Sequence, residues 1–343
     1  MIRGGLKRFL KLALAGVCLP AMVRAEGLPD LPQRLADTGL YVAGGTTVRP
    51  DVLPFSPQYP LWSDGAAKRR WIWLPPGTSI DASQADAWDF PRGTRLWKEF
   101  AHGRTLETRF IERAADGSWR FGSYVWNPEG TDAVLAPASG VRDLPAADAP
   151  GAHYTIPSVD DCRACHDGAP VPVLGFSALQ LSPDRDPLAP HADASRGVDL
   201  RELVARGLLR NLSPELLANP PRIAAATPAE RAALGYLHGN CGNCHNDEGP
   251  LAVLDMTLAQ RVAKPSPVLS SIVGVQSQFV PAGAPADAVR LAPGHLASSV
   301  IATRMSSRDP VQQMPPLGTA AVDTEALALL SRWIESFPNH SSN

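Results

Sequence analysis

Four of the chain's five cysteines sit in two copies of one pattern, Cys162-Arg163-Ala164-Cys165-His166 and Cys241-Gly242-Asn243-Cys244-His245. No other feature constrains the chain as tightly. C-x-x-C-H is the attachment signature of a c-type haem. Two thiols three residues apart on a turn can add to the two vinyl groups of one porphyrin, and the next imidazole reaches the iron from the same side. Composition alone would produce one such motif in a chain of this length with a frequency of about 0.002. Three rival uses of cysteine fit less well. Structural disulfides would leave the histidine after each pair unexplained. A thioredoxin-like C-x-x-C follows a strand in a βαβ context, which neither copy has. A zinc site would need both halves to converge on one ion, and again leaves the repeated histidine without a role. The expectation is two covalently attached haems, on Cys162 and Cys165 and on Cys241 and Cys244, with His166 and His245 as the proximal iron ligands.

The start of the chain reads as an export signal. Arg3, Lys7, Arg8 and Lys11 lead into the apolar run Leu12 to Val23, followed by the small-residue site Val23-Arg24-Ala25. Cleavage after Ala25 is expected, with residues 1–25 as signal peptide and the mature protein in the periplasm. Cys18 follows Val17, where a lipoprotein signal wants a small residue, so cleavage is favoured over a lipid anchor. An apolar run of that length is too short to span a bilayer, which takes roughly 20 residues, and no later stretch approaches it. Loss of residues 1–25 removes five basic and no acidic groups, turning the formal charge of −2 into about −7. Two propionates per haem would deepen that charge. A nucleic-acid partner is therefore excluded and a basic redox protein expected.

Residues 26–154 read as a Trp-rich, antiparallel β domain. Strand-like runs occur at Arg70 to Leu74, Arg95 to Phe100, Leu106 to Ile111, Trp119 to Trp126 and His153 to Ile156. Pro75-Pro76-Gly77, Pro91-Arg92-Gly93, Asp116-Gly117-Ser118 and Asn127-Pro128-Glu129-Gly130 punctuate them as turns. Seven of the eight tryptophans lie between Trp62 and Trp126; aromatic core and cross-strand packing is the favoured reading, a ligand-binding face the sharper one. Ala133 to Gly151 reads as an irregular connector into a first haem-attachment segment, residues 155–225. Helical patterning returns at Val198 to Leu209 and Ser213 to Leu217. Thr227-Pro228-Ala229-Glu230 then has the form of an N-cap, a first-turn proline and a capping-box carboxylate, starting a helix from Pro228 to about Gly239 that runs into Cys241. The last periodic element, Asp323 to Phe337, places Leu327, Leu330, Trp333 and Ile334 on one helical face.

A helix delivering C-x-x-C-H, a loop-rich middle, a Met-Pro-Pro segment and a C-terminal helix bearing a Trp is the layout of the small cytochrome c domain, and residues 226–338 resemble that family. The resemblance implies an all-α cytochrome c domain there, and hence an α+β multidomain chain with a β-rich N-terminal domain. It also implies His245 as proximal ligand and Met314, in Gln313-Met314-Pro315-Pro316-Leu317-Gly318, as distal ligand. Physics supports Met314, since proline stiffens the loop that presents a soft, neutral thioether; Met256 and Met305 compete. Residues 58–337 are further similar to a group of exported two-haem cytochromes, through Leu61-Trp62-Ser63-Asp64-Gly65-Ala66 and the Tyr-Leu-His-Gly-Asn-Cys run at Tyr236 to Cys241. That similarity implies architecture and names no substrate.

The first motif departs from the small-cytochrome pattern, with no helix leading into it and no methionine in range. His191 is the leading candidate for its distal ligand, ahead of His153 and His238, with His102 and His295 reachable only through tertiary contact; an open iron is the alternative. Electron relay through two haems is the favoured function. A di-haem peroxidase-like oxidoreductase competes, although the 79 residues from Cys162 to Cys241 are few for two cytochrome domains back to back. In a third reading the β domain binds a polymer or partner and the haems supply electrons.

Overall fold

Four of the five runs expected as strands, all but His153 to Ile156, pair into one antiparallel sheet, because their alternating side chains give it two faces that both need covering. The computed structural model describes residues 31–195 and 197–338, together with Met1. Beyond Met1, the expected signal peptide, Cys18 included, lies outside the described residues. The strands in chain order are β1 (Leu53–Pro54), β2 (Ala67–Trp73), β3 (Ile80–Asp81), β4 (Arg95–His102), β5 (Arg104–Arg113), β6 (Trp119–Trp126) and β7 (Ala133–Leu135). All but β3 form a six-stranded sheet in the order β1-β2-β4-β5-β6-β7. Its centre is a hairpin meander whose register sets Trp71 opposite Trp97 and Trp97 opposite Phe110.

That aromatic row defines one face. Trp71, Trp97, Phe110, Tyr124 and Trp126 are buried there against Leu35, Leu40, Tyr41 and Val52 from the segment that precedes the sheet. The indole N–H of Trp97 donates to Thr38 Oγ1 and that of Trp126 to Thr108 Oγ1, both at 2.9 Å. Most of the tryptophans are therefore core, as the packing interpretation of the cluster expects. On the opposite face Ile72 and Leu96 pack with Trp88, Phe90, Phe176 and Leu200.

After the sheet come β8 (Val141–Pro145) and β9 (His153–Ile156), paired with each other, then α1 (Val159–His166), α2 (Leu200–Ala205), β10 (Leu209–Arg210) and α3 (Glu215–Ala218). Two expectations change here. The stretch from Ala133 to Gly151 carries β7 and β8 and is not an irregular connector; backbone pairing with β6 and β9 overrides its weak local pattern. The first motif also lies on a helix. Ser158 caps α1, and its side chain and that of Asp161 satisfy each other's backbone amides in a capping box.

The C-terminal part contains α4 (Pro228–Asn240), α5 (Val268–Ile272), α6 (Val300–Ser306) and α7 (Thr324–Glu335). Thr227 and Asp323 cap α4 and α7 as their sequences indicate. Leu237, Leu330, Trp333 and Ile334 meet where these two helices pack. An all-α cytochrome c domain is nevertheless not what forms. The protein is mixed α/β with a β-rich first part; among the described residues only 22% are helical, 3₁₀ turns included, and four of the seven α-helices have seven or more residues. Between α4 and α5, and between α5 and α6, the chain is largely irregular. Pro250, Pro265, Pro267, Pro281, Pro285 and Pro293 withhold the amide donors a helix needs there. Isolated bridges, Val273 with Leu291 and Gln276 with Val289, replace helical pairing, and the Arg290 guanidinium donates to the carbonyls of Leu254, Asp255 and Ser271. Among the described residues no helix is long and apolar enough to cross a membrane.

The segment before β2 seats α4. Tyr59 lies in a groove that Gly235 and Gly239 leave on the helix, its hydroxyl donating to Asp186 at 3.1 Å. A Cβ at Gly235 would stand 2.0 Å from the Tyr59 ring and one at Gly239 2.3 Å from the Tyr59 carbonyl oxygen. Glycine to alanine inside a helix ordinarily stabilises by about 1 kcal/mol. At this groove overpacking reverses the sign, so Gly239→Ala is expected to cost about 1–3 kcal/mol. Thermal unfolding checks it: an unchanged or higher Tm would mean that α4 does not rest on Tyr59.

Candidate cofactor site

Cys162, Cys165 and His166 occupy the last five residues of α1, so the helix presents both thiols and the imidazole within two turns. His166 is held from two sides. Its ring lies 5.0 Å from that of Phe121 on β6, and its Nδ1 is 2.6 Å from the carbonyl oxygen of Pro172. A carbonyl only accepts, so Nδ1 carries the proton and Nε2 keeps its lone pair. Burial pushes this imidazole down to about 4, against the pull of the Pro172 carbonyl. The ring is neutral at physiological pH and ready to bind a metal through Nε2.

The second motif begins where α4 ends. Cys241 is the C-cap, its amide donating to Leu237, and the chain turns so that the amides of Cys244 and His245 both donate to the Cys241 carbonyl. His245 Nδ1 is buried without a hydrogen-bond partner, and burial lowers its pKa. All four cysteines are free and half-buried. Burial raises the Cys162 thiol and pushes that of Cys241 up to about 12. Cys165 and Cys244 interact across the two motifs, which raises the Cys165 thiol and lowers that of Cys244, whose Sγ donates to the Ala164 carbonyl at 3.8 Å.

The two motifs are thus neighbours in space, and one side chain ties them together. Asn246 is 1% exposed; its amide nitrogen reaches the carbonyls of Gly168, Asn243 and Gly242 at 2.9, 3.0 and 3.2 Å. Its oxygen accepts from the amides of Gly249 at 2.7 Å and Glu248 at 3.0 Å. Gly168 follows the first motif and Asn246 follows the second, so this is the joint between them. Sequence reasoning missed it, because a single Asn after C-x-x-C-H carries no periodic or spacing signal.

Both motifs open on one cavity of about 1130 Å³, beyond the roughly 300–1,000 Å³ usual for a single small ligand. Met314 is on its wall, its amide donating to the Arg304 carbonyl at 3.0 Å. Met256 and Met305 line the same cavity, Met305 buried on α6. Of the histidine candidates, His102, His153 and His238 reach the wall. His238 Nδ1 accepts from the Gln260 amide at 3.1 Å, which puts its proton on Nε2 and occupies the nitrogen a metal would need.

His191 is not among the wall residues and has to be withdrawn as the first distal ligand. Its Nε2 lies 2.9 Å from Asp323 Oδ2 and its Nδ1 3.5 Å from Glu325 Oε2, so carboxylates at the start of α7 engage both ring nitrogens. The loop after the first motif docks on α7 through this pair; sequence distance from Cys165 gave no hint of it. His295, the N-cap residue of a short 3₁₀ turn, also stays away from the wall.

Replacing Asn246 with Ala strands at least three carbonyls and two amides at the joint. Given about 1 kcal/mol per hydrogen bond and more for groups left buried and unpaired, a loss of about 3–5 kcal/mol is expected. Chemical denaturation checks this, and a loss below about 1 kcal/mol would show that the glycines hold the motifs together without it.

Comparison of the chain with family models, with curated proteins and with solved structures finds no match.

Proposed function

We propose that the chain carries two covalently attached c-type haems and relays electrons between them and a partner protein, in the periplasm. The observation that carries this reading is the meeting of both C-x-x-C-H segments on one cavity, with His166 Nε2 left free by the Pro172 carbonyl. The residues fit the group. Cys162 and Cys165 would bond one haem and Cys241 and Cys244 the other, under His166 and His245. Four free, half-buried thiols on the cavity side are what thioether formation requires. Among the described residues no three of His, Cys, Asp and Glu gather around a point that could hold a bare metal ion. A porphyrin asks less of the chain, one or two axial side chains, because its own nitrogens supply the rest.

Bound haem supplies a one-electron couple whose potential the axial ligands and surroundings set. The chain's own residues do the tuning. The Pro172 carbonyl fixes the His166 tautomer and raises the basicity of Nε2. A Met314 thioether on the other haem favours the reduced state. Asn246 holds the two motifs in contact, which shortens the path between the groups they carry. The acidic balance of residues after 25 favours a basic redox partner.

Protein exported with a haem-maturation system should contain two haems per chain by pyridine haemochrome assay, and one when Cys162 and Cys165 are both replaced by Ala. It should exchange electrons with a small redox protein while consuming negligible peroxide. One haem in the wild type refutes the assignment at the first motif, none refutes both, and enzyme-like peroxide turnover favours the peroxidase-like alternative over relay.

Met314→Ala should lower the potential of the haem on His245 and abolish the sulfur-to-iron charge-transfer band of the oxidised protein. An unchanged band moves the thioether role to Met305 or Met256.

A further inference from the structure

The sheet turns a row of cations toward the first motif. Register places Arg70 of β2 opposite Lys98 of β4, and Lys98 opposite Arg109 of β5, so the three side chains leave the same face on adjacent strands. All three line the cavity together with Cys162, Cys165 and His166. In the next row Lys68 stands opposite Phe100. The amine of Lys98 and the guanidinium of Arg109 lie 4.8 and 4.2 Å from the Phe100 ring centroid.

Like charges set directly across a ladder repel, and here burial adds a desolvation cost. Glu107 is the carboxylate on this face of the sheet, and it is already committed; from other segments Asp193 acts on Arg70, and Asp64 and Asp323 on Lys68, without hydrogen-bonding to either. Arg109 donates to Glu107 twice, at 2.9 and 3.1 Å, and Ser123 and Tyr154 donate to it at 2.7 and 2.6 Å. Arg70 is 8% exposed, and its guanidinium makes no hydrogen bond or ion pair among the described residues. Lys98 has none either. Its amine is held well below the ordinary lysine value by burial first and then by Arg70, Lys68 and Arg109. Lys68 is pushed down to about 7 by burial, then by Arg70 and Arg109. A cluster so short of counter-charge, opening into an apolar cavity, is built for an anion that arrives from outside the polypeptide.

We infer that the Arg70–Lys98–Arg109 row is a clamp for a pair of carboxylates, supplied by the two propionates of the haem bound at Cys162 and Cys165. The inference rests on the proposed haem at that motif. Its chemistry is charge-assisted hydrogen bonding, with the guanidinium of Arg70 free to take one carboxylate by its planar fork and Lys98 placed between the two arginines. Neutralised in this way, the propionates would raise the potential of the first haem, while the haem on His245, an imidazole acted on by Arg304 and Arg290 instead, would not respond.

The test uses the haem-loaded protein. Lys98→Met and Arg70→Met should each shift the propionate bending bands of the first haem in resonance Raman spectra and lower its midpoint potential, with the second haem unchanged. Lys98→Arg should restore both, which separates pairing from a general loss of packing. Bands that stay in place in both variants overturn the clamp. Malonate and succinate, titrated into the wild type, give the other arm. A saturable spectral change that the variants lose would mean that the row takes free dicarboxylates from solution, and would overturn the propionate assignment. The haem count separates the two levels: a protein without haem at Cys162 and Cys165 fails at the proposed function before any Raman band is recorded.

Discussion

The carboxamide of Asn246 is the contact on which the arrangement of the site depends. The chain reaches its two C-x-x-C-H segments by unrelated routes, one on a short helix after the sheet and one at the end of α4. Nothing in either segment requires them to meet. Asn246 satisfies the carbonyl that follows the first motif and the turn that follows the second, in a place where glycine lets backbones come close. A Cβ at Gly249 would stand 2.4 Å from the Gly168 carbonyl oxygen, and one at Gly242 2.8 Å from that of His238. The joint is dense and polar at once, and the Asn246 carboxamide pairs the backbone groups around it with little room to shift.

Around that joint the cavity is an agreement between two parts of the chain. The sheet supplies one wall through its charged face, with apolar Ile72 and Leu96 continuing the same face toward the second core. The segments around α4 and α6 supply the other, with methionines and the second motif. His166 belongs to both, carried by α1 but oriented by Phe121 from the sheet and by Pro172 from the loop beyond. The two faces of one sheet are used for opposite purposes. The tryptophan face closes on itself as core, and the face with Arg70, Lys98 and Arg109 stays open to the cavity.

The two C-x-x-C-H patterns were legible in the sequence because their spacing is local. Two cysteines and a histidine within five residues carry their meaning wherever the fold puts them. The cap at Thr227, the strands β2, β4, β5 and β6 and the amphipathic face of α7 were legible for the same reason: each rests on hydrogen bonds or periodicity inside a dozen residues. The helix of the first motif was not read from the sequence; the Ser158–Asp161 capping box that starts it stands among turn-forming residues that obscured it.

What only the tertiary structure decided is everything that depends on distant segments meeting. His191 looked like a ligand because it is the first histidine after the His166 loop; a carboxylate pair on α7, more than a hundred residues away, takes it instead. The last third resembled an all-α domain because its first and last helices are strongly marked, while the proline-rich chain between them takes its shape from Arg290 and isolated bridges rather than from propensity. The cationic row is invisible in one dimension, since cross-strand register alone brings Arg70, Lys98 and Arg109 side by side. The sequence by itself determined the two C-x-x-C-H patterns and the elements with strong local signals, because both rest on short spacings; pairing, packing and charge across the fold decided which of the remaining residues stand close enough to matter.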